Sequence, residues 1–370
     1  MILLIGEFSS VHYELKRGMY ELGIDSLTVS DGDSYKRIDA DIIVEKSCNS
    51  RYAFVLHWLG LSGISKFISV KKKLKRYGRF EVVQIINPVA IEALGAIGNI
   101  LLIRYLKKNS EIISLCALGD DFYWVRACVF KKYKYSPLDR WLKSPVKLFR
   151  KYQYSLRYIF SPLYVFLNFY AVRSAAYIVP GLEDYKIAYG NHPKLCNVIP
   201  LPIGKDKFKA PRKTHYPVRI FHGWQPGKDI RKGNDILDSA AKECVDILGE
   251  DKVRYEVVSG VAYSEYVKKY GDSDLFLDQI YSYDRGVNGA LGMAAGKVVF
   301  SGFEYDRCPD NMVIGVNATA DKSLMVEKMC ELVNDIDEVD KIKSAAYEYA
   351  SVHHSSETVA RKYLELWGIG

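Results

Sequence analysis

Residues 274–302, DLFLDQIYSYDRGVNGALGMAAGKVVFSG, restrict the fold more than any other stretch of this chain. Leu275-Phe276-Leu277 has the length and apolar composition of a strand buried on both faces of a parallel sheet. A polar, aromatic loop follows over 278–284. Gly286-Val287-Asn288-Gly289 then leads into 290–295, small and apolar, which predicts a helix packed tightly on the sheet. Gly296-Lys297 ends that helix and 298–300 starts another strand, so the unit reads strand–loop–helix–strand. In open α/β sheets ligands gather beyond the carboxyl ends of the strands, where a helix N-terminus also offers free N–H groups to an anion. An ordinary crossover unit with no ligand is the alternative. The hydrogen-bonding loop, followed by residues small enough to let a ligand reach the backbone, favours binding.

The same alternation runs through the rest of the chain. Strands are predicted at 2–5, 26–29, 42–44, 81–86, 112–115 and 176–179, with helical stretches at 11–22, 57–77 and 89–107 between them. A further series follows at 218–221, 255–258, 275–277 and 298–300, with helices at 236–248, 323–334, 341–350 and 355–367. Repeated strand–helix alternation implies doubly wound α/β sheets, and 370 residues hold two domains of ordinary size. The segment 205–217, KDKFKAPRKTHYP, is charged, Pro-containing and poor in apolar residues, and reads as the linker between them.

Composition narrows the function classes. Apolar residues make up 49% and charged residues 26%, values of a globular chain and not of a disordered one. Seven cysteines are scattered with no C-x-x-C, which argues for a reducing compartment and against a disulfide framework or zinc site. The opening MILLIGEF reads as a first strand and not a leader. The longest apolar stretch, 159–172, contains Pro162 and Asn168 and falls short of the roughly 20 residues that span a bilayer. His353-His354 precedes the last helix; adjacent side chains diverge on a helix, so no metal site is expected there.

Three further segments carry candidate chemistry. Cys116 to Asp121, CALGDD, follows a strand, and its acids either serve a site or cap the next helix, the capping alternative being favoured. Residues 131–173 mix dense Lys and Arg with Tyr, Phe and Trp over about two short helices. That pattern suits an anionic bilayer surface, with a solvated hairpin as the equal alternative. No RNP, KH or helix-turn-helix signature accompanies it, so nucleic acid is not an expected partner. After the strand at 218–221, HGWQPGK and then Arg231-Lys232-Gly233 lead into a helix, a placement that suits charge-assisted contacts to phosphate.

The 274–302 stretch resembles the donor-sugar loop and helix of GT-B-fold glycosyltransferases, the retaining family-4 type, whose usual pattern is E-G-F-G-x-x-x-L-E-A-M-A-x-G-x-P-V. Residues 290–296 match L-E-A-M-A-x-G, with Met293, Ala294 and Gly296 in place. Tyr283 and Leu291 stand where the family has its two Glu, and Val298 replaces its Pro. The stretch is similar to a divergent branch from bacterial surface-polysaccharide clusters, with a D-Q-x-x-S-Y loop at this place. The resemblance implies two Rossmann-like domains facing a cleft. These are an acceptor-side domain over 1–204, the linker 205–217, a nucleotide-sugar domain over 218–352, and a terminal helix over 353–370 returning to the first domain. Residues 198–204, VIPLPIG, resemble the strand and turn that close the first domain in that family.

The resemblance also implies roles. Lys232-Gly233 fits the family's K-G pair, which holds the donor diphosphate. Trp224 replaces the Arg of its G-R pair, so Lys228 or Arg231 would supply the second cation. Gln279, Tyr281, Ser282, Tyr283, Asn288 and Gly289 would hold sugar or phosphate, and Gly260-Val261 would face the base. Gly6-Glu7-Phe8, after the first strand, would meet donor or acceptor. Gly119 with Asp120 or Asp121 would form a G-x-D element on the acceptor side. Lys232, Asp120 and Asp121 are the candidate catalytic residues. The expected activity is sugar transfer from a nucleotide-sugar of the UDP or GDP type to a glycan or lipid-linked glycan. It would proceed with retention, with no cofactor and no metal, in the cytoplasm or at the inner membrane face. A non-catalytic nucleotide- or saccharide-binding protein, and a sugar-nucleotide epimerase, are the alternatives on the same fold. A basic membrane or nucleic-acid protein without a small-molecule site is the third.

Overall fold

The structure is a computed structural model that describes residues 1–369 apart from 34–37, 46–54, 57, 225–228, 261–262 and 306–311. Two compact units result. The first comprises Met1–Lys134, Leu138–Pro202 and Ser356–Gly370, the second Tyr135–Pro137 and Ile203–Ser355.

The first unit is built on a six-stranded, all-parallel sheet. Its strands are β1 (Ile2–Ile5), β2 (Ser26–Ser30), β3 (Ile42–Ile43), β4 (Phe80–Ile85), β5 (Ser110–Ala117) and β6 (Tyr177–Pro180), in the order β3-β2-β1-β4-β5-β6. Every residue of β1 is buried, because helices cover both faces. The order reverses between β1 and β4, which makes the ends of those two strands the switch point where doubly wound sheets bind ligands. Helix α1 (Val11–Glu21) packs Val11, Leu15 and Met19 inward, and Gly23, at φ +75°, ends it.

Helices α2 (Ile64–Leu74) and α3 (Gly95–Asn109) follow. The sequence predicts α3 from residue 89, whereas it begins six residues later. The Asn99 amide explains the delay: it accepts from Ile91 N–H and donates to the Ile91 and Gly95 carbonyls, holding 91–94 out of the α-helix. Helix α4 (Phe122–Val129) precedes the basic-aromatic hairpin, which is α5 (Pro145–Phe160), kinked at Tyr152, and α6 (Pro162–Ser174). α7 (Glu183–Tyr189) completes this half. The strand expected at 198–204 is absent; that segment pairs only through Ile199 N–H to the Pro180 carbonyl and a lone bridge at Ile203.

In the second unit β7 (Val218–Gly223), β8 (Val253–Val258), β9 (Leu275–Leu277), β10 (Val298–Ser301) and β11 (Val316–Asn317) form a parallel sheet ordered β11-β10-β9-β7-β8. Its switch point lies between β7 and β9. Helices α8 (Asn234–Leu248), α9 (Tyr263–Gly271), α10 (Val287–Ala294), α11 (Lys322–Asn334) and α12 (Ile336–His353) cover it. α10 lies as close as its small residues predict: a Cβ on Gly292 would fall 2.8 Å from a Val299 methyl. Residues 205–217 lie against this unit. Lys343, 1% exposed, donates to the Arg212 carbonyl, the Thr214 hydroxyl and Asp274, and Lys209 N–H reaches the Ala294 carbonyl.

The last helix, α13 (Ser356–Trp367), returns to the first unit, as the family resemblance implies. Val359, Ala360, Tyr363, Leu364 and Trp367 share one core with Ile2, Leu4, Leu15, Met19 and Val82. Gly18 of α1 makes this approach feasible, since a Cβ there would sit 2.0 Å from the Ser356 carbonyl oxygen.

Candidate functional site

Two constellations of predicted residues exist, one at the switch point of each sheet. In the second unit the peptide leaving β7 ends in a short helical turn, Asp229–Lys232, and Gly233 at φ +74° redirects it into α8. Gly233 is required twice over, because a Cβ would also lie 2.9 Å from Ile280 Cδ1. The Lys232 carbonyl accepts from Ile280 N–H at 2.8 Å, fastening this turn to the loop after β9. The Lys232 ammonium fastens it again, donating to Asp278 Oδ1 at 2.6 Å. Asp278 Oδ2 accepts from the buried Ser301 hydroxyl at 3.0 Å. Helix α10 begins beside that carboxylate: a Cβ on Gly289 would lie 3.1 Å from Asp278 Oδ2. Gly286, its N-cap, supplies no side-chain bond to the first turn.

Beneath the turn His222, at the end of β7, is fully buried. Its Nδ1 lies 2.8 Å from the Tyr255 hydroxyl, which itself donates to Asp238 Oδ1 at 3.0 Å. That chain places the proton on Nδ1, and the ring's other hydrogen-bond partner is the Asn234 side chain. Burial pushes the His222 pKa down to about 4, so the ring is neutral near pH 7. Asn234, also fully buried, sets its amide against the His222 ring. Sequence reasoning missed His222, Asn234, Asp278 and Ser301. His222 lies at a buried strand end and Asn234 at a helix start, where a polar residue is ordinary and gives no signal, and only the D-Q loop pattern marked Asp278.

The remaining residues of this constellation divide. The Gln279 amide donates to the Asp284 carbonyl at 3.4 Å and lies 3.5 Å from where a Gly286 Cβ would be, at the mouth of α10. Asn288, half-buried, sits in the first turn of α10, and Tyr281 packs against the core. The Ser282 hydroxyl is taken up by the Asp284 carbonyl at 2.7 Å. Tyr283 is engaged elsewhere, its ring stacked on Tyr135 at 4.5 Å and its hydroxyl accepting from Tyr135 N–H at 3.1 Å. The residue at the family's first Glu position therefore binds protein. Arg231 lies in the helical turn beside Lys232. Gly260 follows β8 in open space at φ +67°. Lys228 and Val261 lie outside the described residues.

In the first unit the loop after β1 meets the loops after β4 and β5. Gly6, at φ +86°, passes so close to Ala90 that a Cβ would lie 2.1 Å from its carbonyl oxygen. Phe8 lies against Gly119, 2.8 Å from the Cβ position there. Asn87 donates to the Leu118 and Asp120 carbonyls at 2.5 and 3.2 Å. Glu7 is buried; its Oε2 accepts from Tyr13 N–H at 2.9 Å and its Oε1 has no partner. Burial, opposed by the backbone donors, pushes the Glu7 pKa up to about 7. Asp120 accepts a short hydrogen bond from Ser155. Asp121 is fully buried as the N-cap of α4, accepting from Trp124 N–H at 2.7 Å and from the Tyr189 hydroxyl at 2.6 Å. The capping alternative is the one this geometry matches, and Asp121 has no oxygen turned to a ligand.

Among the described residues no group of three or more His, Cys, Asp or Glu side chains is arranged to hold a metal ion. None of their helices is long and apolar enough to cross a membrane.

No family model matches the chain, and no curated protein does. Solved structures do. HepE of Anabaena, in complex with UDP and glucose, superposes with a TM-score of 0.62 at 12% identity over 99% of this chain and 98% of its own. The sucrose-phosphate synthase of Thermosynechococcus elongatus gives 0.61 at 12% identity, covering 99% and 98%. WaaG, a glycosyltransferase involved in lipopolysaccharide biosynthesis, gives 0.60 at 11% identity over the whole of both chains. The fold is therefore GT-B, with two parallel α/β sheets and a helix returning to the first unit.

Proposed function

We propose that this chain is a glycosyltransferase that binds a nucleotide-sugar on its second unit. The observation that carries the reading is the assembly at the second switch point: Lys232, the uncapped start of α10 and the buried His222–Asn234 pair occupy one end of the sheet. Lys232, with Arg231 or Lys228, would neutralise the diphosphate as it leaves, and α10 N–H groups would share the charge. Gln279 and Asn288 would contact sugar or phosphate. The complexes of HepE with UDP and with UDP-glucose support a UDP-type donor. Retention, with the departing phosphate accepting the acceptor's proton, needs no separate base, cofactor or metal. The acceptor is a glycan or lipid-linked glycan met by the 6–8 and 119–120 loops of the first unit, as in surface-polysaccharide synthesis at the inner membrane face.

The hairpin supports the membrane part of that reading. Residues 140–182 contain no Asp or Glu, and Val146, Phe149, Tyr154, Phe160, Phe166 and Phe169 are exposed there among Lys143, Lys147, Arg150 and Lys151. Exposed aromatics among cations fit an anionic headgroup layer.

The test is a thermal-shift panel of UDP, GDP, CMP and their sugars, followed by donor turnover with the nucleotide that stabilises. At equal concentration, the nucleotide with the higher affinity raises the melting temperature more. Binding with neither transfer nor hydrolysis would select the non-catalytic alternative, and epimerised donor without transfer would select the epimerase. No shift with any nucleotide would end the donor reading.

A further inference from the structure

The chemical oddity of the second switch point is an anion where the reading above expects to receive one. Asp278 extends from the end of β9 to the start of α10, a position favourable for negative charge. Its carboxylate is fully buried and held by Ser301, while the Lys232 side chain keeps 18% of its surface exposed. The anchored half of the pair is the acid; the half that reaches outward is the cation. Asp278 is held from two sides, by the Ser301 hydroxyl and by Gly289, where a Cβ would press on it at 3.1 Å.

Stability alone does not account for the pair. Removing two charges from water costs about as much as their attraction returns, and apolar residues of similar size do as well or better in such places. The neighbouring polar groups leave the pair to itself: His222 and Asn234, both buried, hydrogen-bond to each other. The neutral His222 ring adds no second cation to compete for Asp278.

We propose that Asp278 is the positioning residue for Lys232, holding its ammonium at the switch point until a nucleoside diphosphate arrives and the ammonium turns from carboxylate to phosphate. The proposal rests on the donor-site reading. Asp278 itself touches no ligand. It fixes where the cation waits, and its charge opposes the incoming phosphate, so it trades affinity for placement.

The experiment compares the full chain with its Asp278→Asn variant in two arms. The first needs no nucleotide: Lys232 is acetylated with acetic anhydride and followed by peptide mass spectrometry. Release of the ammonium should speed its labelling about fivefold. The second measures UDP and uridine affinity by calorimetry, together with donor turnover. UDP affinity relative to uridine should hold or rise, while kcat falls about tenfold with no increase in KM. Unchanged labelling would overturn the proposal, as would UDP affinity falling in step with kcat, the mark of a merely structural role. Should Asp278→Asn not fold, Ser301→Ala, which loosens the carboxylate without removing it, is read in the same arms. There, faster labelling with lower kcat supports the proposal and no change in either overturns it. If the wild type binds no nucleotide, the donor-site reading fails, while the labelling arm still decides the pairing.

Discussion

The rings of Tyr135 and Tyr283 stack almost parallel, 8° apart, and the Tyr283 hydroxyl meets the Tyr135 peptide. Tyr283 occupies the place of the first family Glu, yet it is 4% exposed and engaged with protein. Tyr283→Phe should keep the stack and lose the hydroxyl contact, lowering stability by about 1 kcal/mol in urea unfolding. Nucleotide affinity should stay within about twofold if the residue has no donor role.

Lys232→Ala leaves Asp278 buried with its charge unanswered. It should cost about 3 kcal/mol of stability, a loss that breaking a buried pair commonly brings. Adding Asp278→Asn should restore most of that stability. Turnover should stay down about a hundredfold in both variants, because the cation that meets the leaving diphosphate is gone. Denaturant midpoints and steady-state rates on the same preparations separate the two effects.

Glu7 makes a pH prediction. Its folded pKa of about 7 exceeds the ordinary 4.5, so the folded state holds the proton more tightly than the unfolded chain. The associated stability is full below pH 4.5 and is lost as pH rises through 7. His12, buried against the Gly6 carbonyl and pushed down to about 4, acts with opposite sign, its contribution being lost as pH falls through 4. The wild type therefore shows a partial cancellation. Glu7→Gln keeps an acceptor for Tyr13 N–H and removes one side of it. Relative to wild type it should gain on the order of 3 kcal/mol between pH 4.5 and 7, read from unfolding across that range.

The hairpin can be tested apart from any chemistry. Lys147→Glu, Arg150→Glu and Lys151→Glu together should weaken binding to phosphatidylserine-containing vesicles by on the order of a hundredfold, at about 1 kcal/mol per cation lost. Wild-type binding should fall with added salt. Equal binding of both proteins would remove the membrane from the reading, and nucleotide affinity should be the same in each.

The sheets were legible because burial on both faces leaves runs such as ILLI and LFL with no other reading. The tight approach of α10 was legible in its small residues. What the sequence concealed was pairing. Nothing in the spacing of Lys232 and Asp278, 46 residues apart, ties them. Hydroxyls that look free on paper, those of Ser282 and Tyr283, are used up by the Asp284 carbonyl and the Tyr135 peptide. The late start of α3 was hidden for the same reason: Asn99 acts on backbone a turn and more ahead of it, which periodicity does not register.

The return of α13 to the first sheet bears on how the protein is made. Ile2 and Leu4 leave the ribosome well before Tyr363 and Trp367, which close over the same core. The first unit must therefore wait, with part of its apolar interior open to water, until the second unit and α13 have been synthesised. A nascent chain stalled in the second half would present that open seam to chaperones.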